Sequence, residues 1–304
     1  MTEPTPVRVR ACGKVNLALR VGPADESGYH ELATVFQGIS LYDEVSVVDA
    51  APGTFPITVA GEQAALVPAD DRNLAVKAAR LLAQAYGQGR ELGASIAISK
   101  TIPVTGGMAG GSADAAATLL ACSVLWDLDV SPFELDELAA QLGADVPFSL
   151  LGGVALGTGR GDRLAPVLSR GTTHWVLALS DGELSTPAVF RRFDEITPDP
   201  QRPRVSPELM NALIGGDAVA LAKELTNDLQ QAALSMRPQL ADIVALGEEL
   251  GALKGIVSGS GPTIAFLVAG EQQAIDLSVR LSSEGVCRAV RRVQGPVPGA
   301  RLIS

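Results

Sequence analysis

The residues best suited to chemistry lie in one glycine-rich segment, residues 100–114, which reads KTIPVTGGMAGGSAD. Four of the six positions from 106 to 111 are glycine. A loop without Cβ atoms lets backbone N–H groups approach an anion closely. The alanine-rich helix predicted behind the loop adds unpaired N–H donors and a partial positive charge. The pattern therefore predicts a phosphate-binding loop that needs few cationic side chains.

Two better-known phosphate-binding patterns do not match this loop. A Walker A loop has Lys directly after its last glycine, where this sequence has Ser112. The glycine spacing also differs from the G-x-G-x-x-G of dinucleotide-binding folds. A flexible turn between a strand and a helix is the remaining alternative. The order of strand, loop and helix favours phosphate binding over that turn.

Hydrophobic periodicity and capping residues predict the elements that position this loop. Asn73 is a predicted N-cap, and Ser131 and Glu134 form a predicted capping box with Pro132 at the first helical position. Strands mixed with helices, without a regular βαβ alternation, predict an α+β fold. The predicted strands cover residues 7–21, 44–48, 54–59, 94–100, 175–179 and 263–268, and the predicted helices cover residues 74–86, 113–126, 132–142, 207–214, 218–225, 238–250 and 272–282.

Chain length predicts two domains. With 304 residues the chain exceeds the usual size of a single hydrophobic core. The glycine-dense stretch over residues 152–161 is the predicted crossing between domains. The predicted domains are residues 1–156, an N-terminal ATP-binding domain, and residues 157–304, a C-terminal domain.

Composition restricts the classes of partner. The formal net charge is −10, and no run of Lys or Arg offers the basic face that nucleic-acid binding usually needs. An acidic protein that handles phosphates must instead concentrate a few positive groups and backbone donors locally. We therefore expect a small-molecule partner and no nucleic acid.

The cysteines and the hydropathy indicate a cytoplasmic protein. Cys12, Cys122 and Cys287 are widely spaced, which predicts reduced and mostly buried thiols and neither a disulfide frame nor a zinc site. The first ten residues lack the apolar region of a secretory signal. No stretch of about 20 apolar residues occurs, so we expect no membrane span.

Three motifs resemble the GHMP kinases, small-molecule kinases named for galactose, homoserine, mevalonate and phosphomevalonate. They are the loop PVTGGMAGGSADAA over residues 103–116, ACGKVNLAL over residues 11–19 and SGSGPT over residues 258–263. GYHEL, TVFQGISLYDEV and LGADVPF, over residues 28–32, 34–45 and 142–148, resemble the branch that phosphorylates 4-diphosphocytidyl-2-C-methyl-D-erythritol. The resemblance covers essentially the whole chain. It departs at Ala113, where the family often has a second serine.

The resemblance implies a two-domain kinase with its active site in the cleft between the domains. It implies that ATP phosphorylates the 2-hydroxyl of the cytidyl-diphosphate substrate in the non-mevalonate isoprenoid pathway. Asp145 is the implied base for the hydroxyl proton, and Lys14 is its implied partner. The residues alone favour a different interpretation, in which Asp145 is a turn residue before Pro147 and Lys14 a solvated strand charge. Mg²⁺ is expected to arrive with ATP, held mostly by its phosphates, and no cluster has the spacing of a resident metal site.

The resemblance also implies residues for both ligands, and the oligomeric state is expected to be a monomer or a weak homodimer. For the acceptor it implies Tyr29 stacked on the cytosine, His30 hydrogen-bonded to its polar edge and Phe190 as the second ring, with Thr186 nearby. Asn16, two residues beyond Lys14 on one strand face, is expected to contact the same substrate. The implied ATP-binding residues are Pro103, Val104, Thr105, Gly106, Gly107, Met108, Ala109, Gly110, Gly111, Ser112 and Ala113.

Two further segments carry weaker expectations. The SGSGPT segment is expected to close the site from the second domain, with a helix-to-strand turn as the alternative. Asn227 and Asp228 are expected in a helix that faces the substrate.

Two rival functions remain at this stage. One is a related kinase acting on mevalonate, homoserine or a sugar, which would have no base to stack on Tyr29 and Phe190. The other is a nucleotide-binding regulator that has lost catalysis, which the presence of both Lys14 and Asp145 argues against.

Overall fold

The computed structural model describes residues 5–26 and 28–303. Residues 1–4, which contribute to the expectation of no secretory signal, lie outside the described residues. The strands are β1 (Val7–Ala24), β2 (His30–Asp49), β3 (Ile57–Gly61), β4 (Ala94–Lys100), β5 (Val154–Gly159), β6 (Arg163–Pro166), β7 (Thr173–Leu179), β8 (Thr226–Asn227), β9 (Lys254–Val257), β10 (Ile264–Val268), β11 (Ala289–Gly295) and β12 (Arg301–Leu302).

Helices cover both sheets that these strands form. They are α1 (Leu74–Tyr86), α2 (Gly110–Leu125), α3 (Pro132–Leu142), α4 (Val146–Leu151), α5 (Thr186–Ile196), α6 (Pro207–Gly215), α7 (Ala218–Glu224), α8 (Gln230–Met236), α9 (Gln239–Glu249) and α10 (Glu271–Glu284). A short 3-10 helix covers Ala64–Leu66.

The first sheet is built on the long antiparallel pair of β1 and β2. Its strand order is β12-β1-β2-β4-β3, with β5 also paired to β2, β6 to β5 and β8 to β1. The pairs β3–β4 and β1–β8 are parallel, whereas the other pairs in this sheet are antiparallel. This mixture, together with helices outside any regular βαβ alternation, confirms the α+β prediction.

The second sheet is antiparallel, in the order β11-β7-β10-β9, and its central strands β7 and β10 are largely buried on both faces. Side chains alternate along β7, as the period of a strand requires. Trp175 and Leu177 join the core under the first sheet, whereas Val176 and Ala178 pack on the core formed with α5, α8, α9 and α10. The second sheet thus connects the two cores.

Capping residues set the ends of the helices nearest the loop. The side chain of Asn73 accepts a hydrogen bond from Ala75 N at 2.9 Å, and the predicted capping box of Ser131 and Glu134 is present on α3. Both predictions are confirmed. Helix α2 begins at Gly110, before the predicted start at residue 113, because its first two residues are glycines whose low helix propensity conceals the start.

Several other predictions need correction. Helix α5 was not predicted, since its sequence TPAVFRRFDEI has a high share of polar residues. Asn227 lies in strand β8 and not in a helix. The turn over residues 258–261 joins β9 to β10, so it is a strand-to-strand turn. The predicted strand over residues 54–59 begins later, at Ile57.

The division into residues 1–156 and 157–304 stays a prediction. A cut after residue 156 would fall inside β5, which is paired with β2 of the first sheet. Strand β6 also belongs to that sheet. A fragment meant to preserve the first sheet's β5–β6 hairpin would therefore have to extend to Pro166.

Two of the three cysteines are buried, as predicted for most of them. Cys12, Cys122 and Cys287 are free, and the first two are buried. Burial raises the pKa of the Cys12 thiol to about 12, which suppresses the reactive thiolate. Separately, no helix in residues 5–26 or 28–303 has the length and apolar composition needed to cross a bilayer.

Two glycines at helical positions should respond in opposite directions to alanine. A Cβ at Gly247 in α9 would lie 2.2 Å from the fully buried ring of Phe266, whereas a Cβ at Gly215 in α6 would meet nothing within 4 Å. We expect Gly247→Ala to lower the free energy of unfolding by about 1–3 kcal/mol through overpacking. Gly215→Ala should raise it by about 0.5 kcal/mol through reduced unfolded-state entropy. Urea denaturation measures both, and equal effects of the two variants would contradict this packing.

Candidate active site

A cavity of about 1500 Å³ opens between the two sheets. Ligand pockets usually measure about 300–1,000 Å³, so this one has room for two small molecules. Of the residues predicted to bind ATP, Met108 and Ala113 are fully buried and do not line the cavity. The residues from the sequence prediction that line it are Lys14, Asn16, Tyr29, His30, Pro103, Val104, Thr105, Gly106, Gly107, Ala109, Gly110, Gly111, Ser112, Asp145, Thr186 and Phe190.

The start of α2 faces this cavity with uncapped N–H groups. Its N-cap residue, Ala109, has a left-handed backbone (φ 61°) and makes no side-chain cap. The first backbone hydrogen bond of the helix runs from Ala113 N to Ala109 O at 2.9 Å. The preceding first-turn N–H groups, which such a helix leaves unpaired, carry the positive end of the helix dipole. This geometry suits an anion.

The loop glycines differ in what a side chain at each would meet, and one of them has a packing role that the sequence did not suggest. Gly107 has φ +75°, and a Cβ there would lie 2.0 Å from Ser258 O in the turn of the second sheet. Gly107 is therefore required by packing between the two domains. A Cβ at Gly111 would meet only Leu74 Cδ1, at 3.7 Å. Gly111 is thus the loop glycine with free space beside it.

Three hydrogen bonds from different elements hold the loop backbone. Lys14 N donates to Met108 O at 3.2 Å, and Ser258 Oγ donates to Gly107 O at 3.2 Å. Val104 N donates to the Gln63 side chain at 3.1 Å. The loop is thus fixed by β1, by the second sheet and by the segment after β3.

Lys14 and Asp145 meet inside the cavity, as the sequence predicted. Lys14 Nζ lies 3.9 Å from Asp145 Oδ2. The Lys14 side chain is 7% exposed and that of Asp145 is 34% exposed, so the carboxylate is the more accessible of the two. Asp145 is the N-cap residue of α4, yet its carboxylate makes no capping hydrogen bond. It therefore remains available to a ligand.

Asn16 contacts Lys14 directly. Lys14 Nζ donates to Asn16 Oδ1 at 2.8 Å, and Asn16 Nδ2 donates to Thr34 Oγ1 at 2.8 Å. Thr34 Oγ1 in turn donates to Ala18 O at 2.7 Å. This chain fixes the direction of the ammonium group. Asn16 also lines the cavity, and its expected contact with the substrate stays a prediction.

Aromatic side chains also line the cavity. The rings of His30 and Phe190 lie 5.0 Å apart, and the guanidinium of Arg160 lies 3.8 Å from the centre of the Tyr29 ring. His30 Nε2 lies 2.7 Å from Asp194 Oδ1. Tyr29 is 53% exposed, so its ring has free area for a planar ligand.

The turn over residues 258–261 closes the cavity from the second sheet. Ser260 Oγ and Thr186 Oγ1 share a hydrogen bond of 2.8 Å. Asn227 Nδ2 donates to the carbonyls of Val257 and Gly259, at 2.8 and 2.7 Å. Asn227 therefore holds the turn and does not line the cavity, which corrects its predicted substrate contact. The predicted contact of Asp228 is also corrected, since its carboxylate accepts a hydrogen bond from Val21 N.

A buried ion cluster lies beneath the loop. Lys100 Nζ donates to Asp43 and, at 2.7 Å, to Asp114 Oδ2. Burial alone would lower the pKa of Lys100, but the carboxylates of Asp114 and Asp43 more than offset burial and raise it. Burial raises the pKa of Asp114, and Lys100 opposes part of that rise. Asp43 Oδ1 also accepts from the backbone N–H groups of Thr101 and Ile102, at 2.6 and 2.9 Å, so this cluster anchors the start of the loop.

The cavity lining carries both signs of charge, because the carboxylates of Asp114, Asp145, Asp162, Glu183 and Asp194 line it together with the cations. Within the described ranges, no group of three or more His, Cys, Asp or Glu residues could hold a metal ion. The cations that line the cavity are Lys14, Arg72, Lys100, Arg160 and Arg191.

Sequence reasoning missed several residues that hold this site. Asp114 is an isolated carboxylate in an otherwise apolar segment, and that isolation was a usable signal of a buried ion pair, whereas Asp43 is followed directly by Glu44 and gave no such signal. Thr34 and Asp194 carried no such signal, because their partners lie far away in the sequence. Arg160 lies in a glycine-rich segment that looked like a plain domain crossing.

Comparison with known proteins agrees with this geometry. Residues 73–153 match the family of GHMP kinases N terminal domain, and residues 209–287 match the family of GHMP kinases C terminal. A protein of Rhodococcus jostii named 4-diphosphocytidyl-2-C-methyl-D-erythritol kinase is 57% identical over 303 residues, covering 99% of this chain and 96% of that protein.

Solved structures show the same architecture. A crystal structure of 4-(cytidine 5'-diphospho)-2C-methyl-D-erythritol kinase superposes with a TM-score of 0.77 at 31% identity, covering 94% of this chain and 98% of that one. Homoserine kinase from Cytophaga hutchinsonii reaches a TM-score of 0.78 at 17% identity, covering 100% of this chain and 99% of its own, and thus shares the fold. The chain therefore belongs to the GHMP kinase family, in the branch of the 4-diphosphocytidyl-2-C-methyl-D-erythritol kinases.

Proposed function

We propose that this protein transfers the γ-phosphoryl group of ATP to the 2-hydroxyl of 4-diphosphocytidyl-2-C-methyl-D-erythritol, in the non-mevalonate route to isoprenoids. One observation carries the proposal. The Lys14–Asp145 pair lies in the same cavity as an uncapped helix start and a group of aromatic side chains. A triphosphate at the helix start and a base among the rings would bring the acceptor's hydroxyl to the pair between them.

The chemistry asked of these side chains is mainly positioning and charge stabilisation. A phosphoryl group passes through a loose transition state, so holding the nucleophile in line contributes more than strong base catalysis. Asp145 would accept the hydroxyl proton, and Lys14 would keep the carboxylate and the alcohol oriented. Uncapped N–H groups at the start of α2 would receive phosphate oxygens.

Mg²⁺ is expected to enter with ATP. The cavity offers oxygen donors that a hard cation prefers, the carboxylate of Asp145 and the hydroxyl of Ser112. So few protein donors fit a Mg²⁺ ion that is bound mostly by the nucleotide phosphates. The ion would help to neutralise the charge of those phosphates. The cytoplasmic location and the monomer or weak homodimer stay predictions.

The aromatic side chains of the cavity argue against a related kinase that acts on mevalonate, homoserine or a sugar. Acceptors such as mevalonate, homoserine and sugars carry no aromatic base, so they would leave Tyr29, His30 and Phe190 without a function. A regulator without catalysis would have no use for a Lys14 ammonium held by Asn16 next to an accessible carboxylate.

An ADP-release assay tests the function and the role of Asp145 together. With ATP, turnover should require the cytidyl-diphosphate acceptor and should be absent with mevalonate, homoserine or galactose. Asp145→Asn should lower kcat by about 100-fold or more, the usual contribution of a general base, and leave the KM for ATP within about twofold. Asp136→Asn, on the exposed side of α3, is the control. An unchanged kcat in Asp145→Asn would refute the assigned role.

Tyr29 tests the binding of the base. Base–aromatic stacking contributes about 1–3 kcal/mol, so Tyr29→Ala should raise the KM for the cytidyl acceptor by roughly 5- to 150-fold. The KM for ATP should not change. Phe133→Ala, a truncation of another exposed ring that lies outside the cavity, should leave both constants unchanged. Equal increases in both KM values for Tyr29→Ala would argue against a base-stacking site.

Gly111 tests the phosphate cradle separately from packing. Its Cβ would be free of clashes, so Gly111→Val should fold normally while its side chain obstructs the helix start. We expect the KM for ATP to rise about tenfold or more, since each 1.4 kcal/mol corresponds to tenfold. Gly107→Ala should instead lose stability as well, because its Cβ overlaps the Ser258 carbonyl. Normal ATP binding by a well-folded Gly111→Val protein would mean that the triphosphate lies elsewhere.

A further inference from the structure

The hydrogen bond between His30 and Asp194 joins the first strand pair to helix α5 beside the Phe190 ring, in the lining of the cavity. Nε2 of His30 lies 2.7 Å from Oδ1 of Asp194. The imidazole is 5% exposed and the carboxylate is 48% exposed. A carboxylate accepts hydrogen bonds and has no proton to give, so the proton of this bond belongs to Nε2.

The proton at Nε2 determines what the other ring nitrogen offers. In a neutral imidazole only one nitrogen carries a proton, so Nδ1 is then an acceptor. Among the residues that the structure describes, no protein group hydrogen-bonds Nδ1. His30 lines the cavity beside Phe190, with 5.0 Å between the ring centres. The acceptor nitrogen is therefore available to the edge of a ligand stacked there.

Stacking alone cannot select among pyrimidines. Every base has a π-face, so Tyr29 and Phe190 would bind uracil about as well as cytosine. The two bases differ at position 4, where cytosine has an amino group that donates and uracil has a carbonyl that accepts. An acceptor at Nδ1 can pair with the amino group of cytosine. Opposite uracil, its lone pair would face a lone pair of the carbonyl oxygen, and no hydrogen bond would form.

We propose that Asp194 is a positioning residue that fixes the tautomer of His30, so that the site selects a cytidyl over a uridyl acceptor. The proposal rests on the proposed function, which supplies the pyrimidine. It assigns base selectivity to a carboxylate that need not touch the ligand. Asp194 acts through the ring it orients, as a carboxylate does behind a metal-bound histidine.

Binding of CDP and UDP, measured by isothermal titration calorimetry, tests this role. The wild-type protein should bind CDP at least about tenfold more tightly than UDP, because a mispaired polar edge loses its hydrogen bond. In Asp194→Asn, the new amide can accept from Nε2 or donate to it, so both tautomers are allowed. The preference in affinity for CDP over UDP should then fall below about threefold. A preference of that size corresponds to one weak contact.

Glu195→Gln is the matched control. It removes the same charge one residue further along α5, where Glu195 pairs with Arg192 at 2.7 Å and does not line the cavity. This variant should keep the wild-type ratio. If Asp194→Asn weakens CDP and UDP equally and keeps the ratio, the residue is merely structural and the proposal is wrong.

Nitrogen NMR of the imidazoles gives an independent readout. The chain has two histidines, His30 and His174, so a His174→Asn variant leaves one imidazole to observe. The wild-type tautomer should carry its proton on Nε2, and Asp194→Asn should show a mixture. A proton on Nδ1 in the wild-type protein, or UDP bound at least as tightly as CDP, would overturn the proposal. A wild-type protein that binds ATP but neither CDP nor UDP would instead refute the proposed function itself.

Discussion

The contact between the glycine loop and the turn over residues 258–261 is the constraint on which the site depends. Gly107 approaches the Ser258 carbonyl so closely that no side chain fits between them, and the Ser258 hydroxyl donates to the Gly107 carbonyl. Since that turn belongs to the second sheet, the loop takes its conformation from both domains. Thr105 and Ala109 flank it at positive φ (56° and 61°) without being glycine. Such conformations cost roughly 1–3 kcal/mol each and persist only where the surroundings impose them.

The same constraint explains how an acidic protein can receive two polyanions. Its charge of −10 would repel them at long range, so attraction must be local. Backbone N–H groups provide part of it at no cost in net charge, but only while the loop holds its shape. Lys100 forms ion pairs with Asp43 and Asp114 and contributes chiefly to the shape of the loop. Arg160 is placed differently, because its guanidinium lies over the Tyr29 ring that is proposed to stack on the other ligand.

The sequence predicted those features of the fold that depend only on residues close together in the chain. Asn73 and the capping box at Ser131 and Glu134 mark helix starts within a few residues, and both were predicted. Helix α5 was missed because its polar residues face solvent and its apolar ones pack on a sheet that the sequence does not reveal. Pairs such as His30 and Asp194, 164 residues apart, have no local signal at all. The packing role of Gly107 was missed for a similar reason, because the clash there involves an atom some 150 residues away.

Lys14 shows how local and distant information combine at a reacting centre. Lys14 and Asn16 are two residues apart, so the sequence alone predicted that both side chains lie on one face of a strand. The hydrogen bonds from Lys14 through Asn16 to Thr34 required the neighbouring strand. An ammonium on a long flexible stem loses much conformational freedom when it is held at one point. Asn16 and Thr34 impose that order before any ligand binds, so the acceptor's binding energy need not supply it. In phosphoryl transfer through a loose transition state, alignment contributes more than base strength. Such preorganisation is therefore the main way in which a protein can accelerate the reaction.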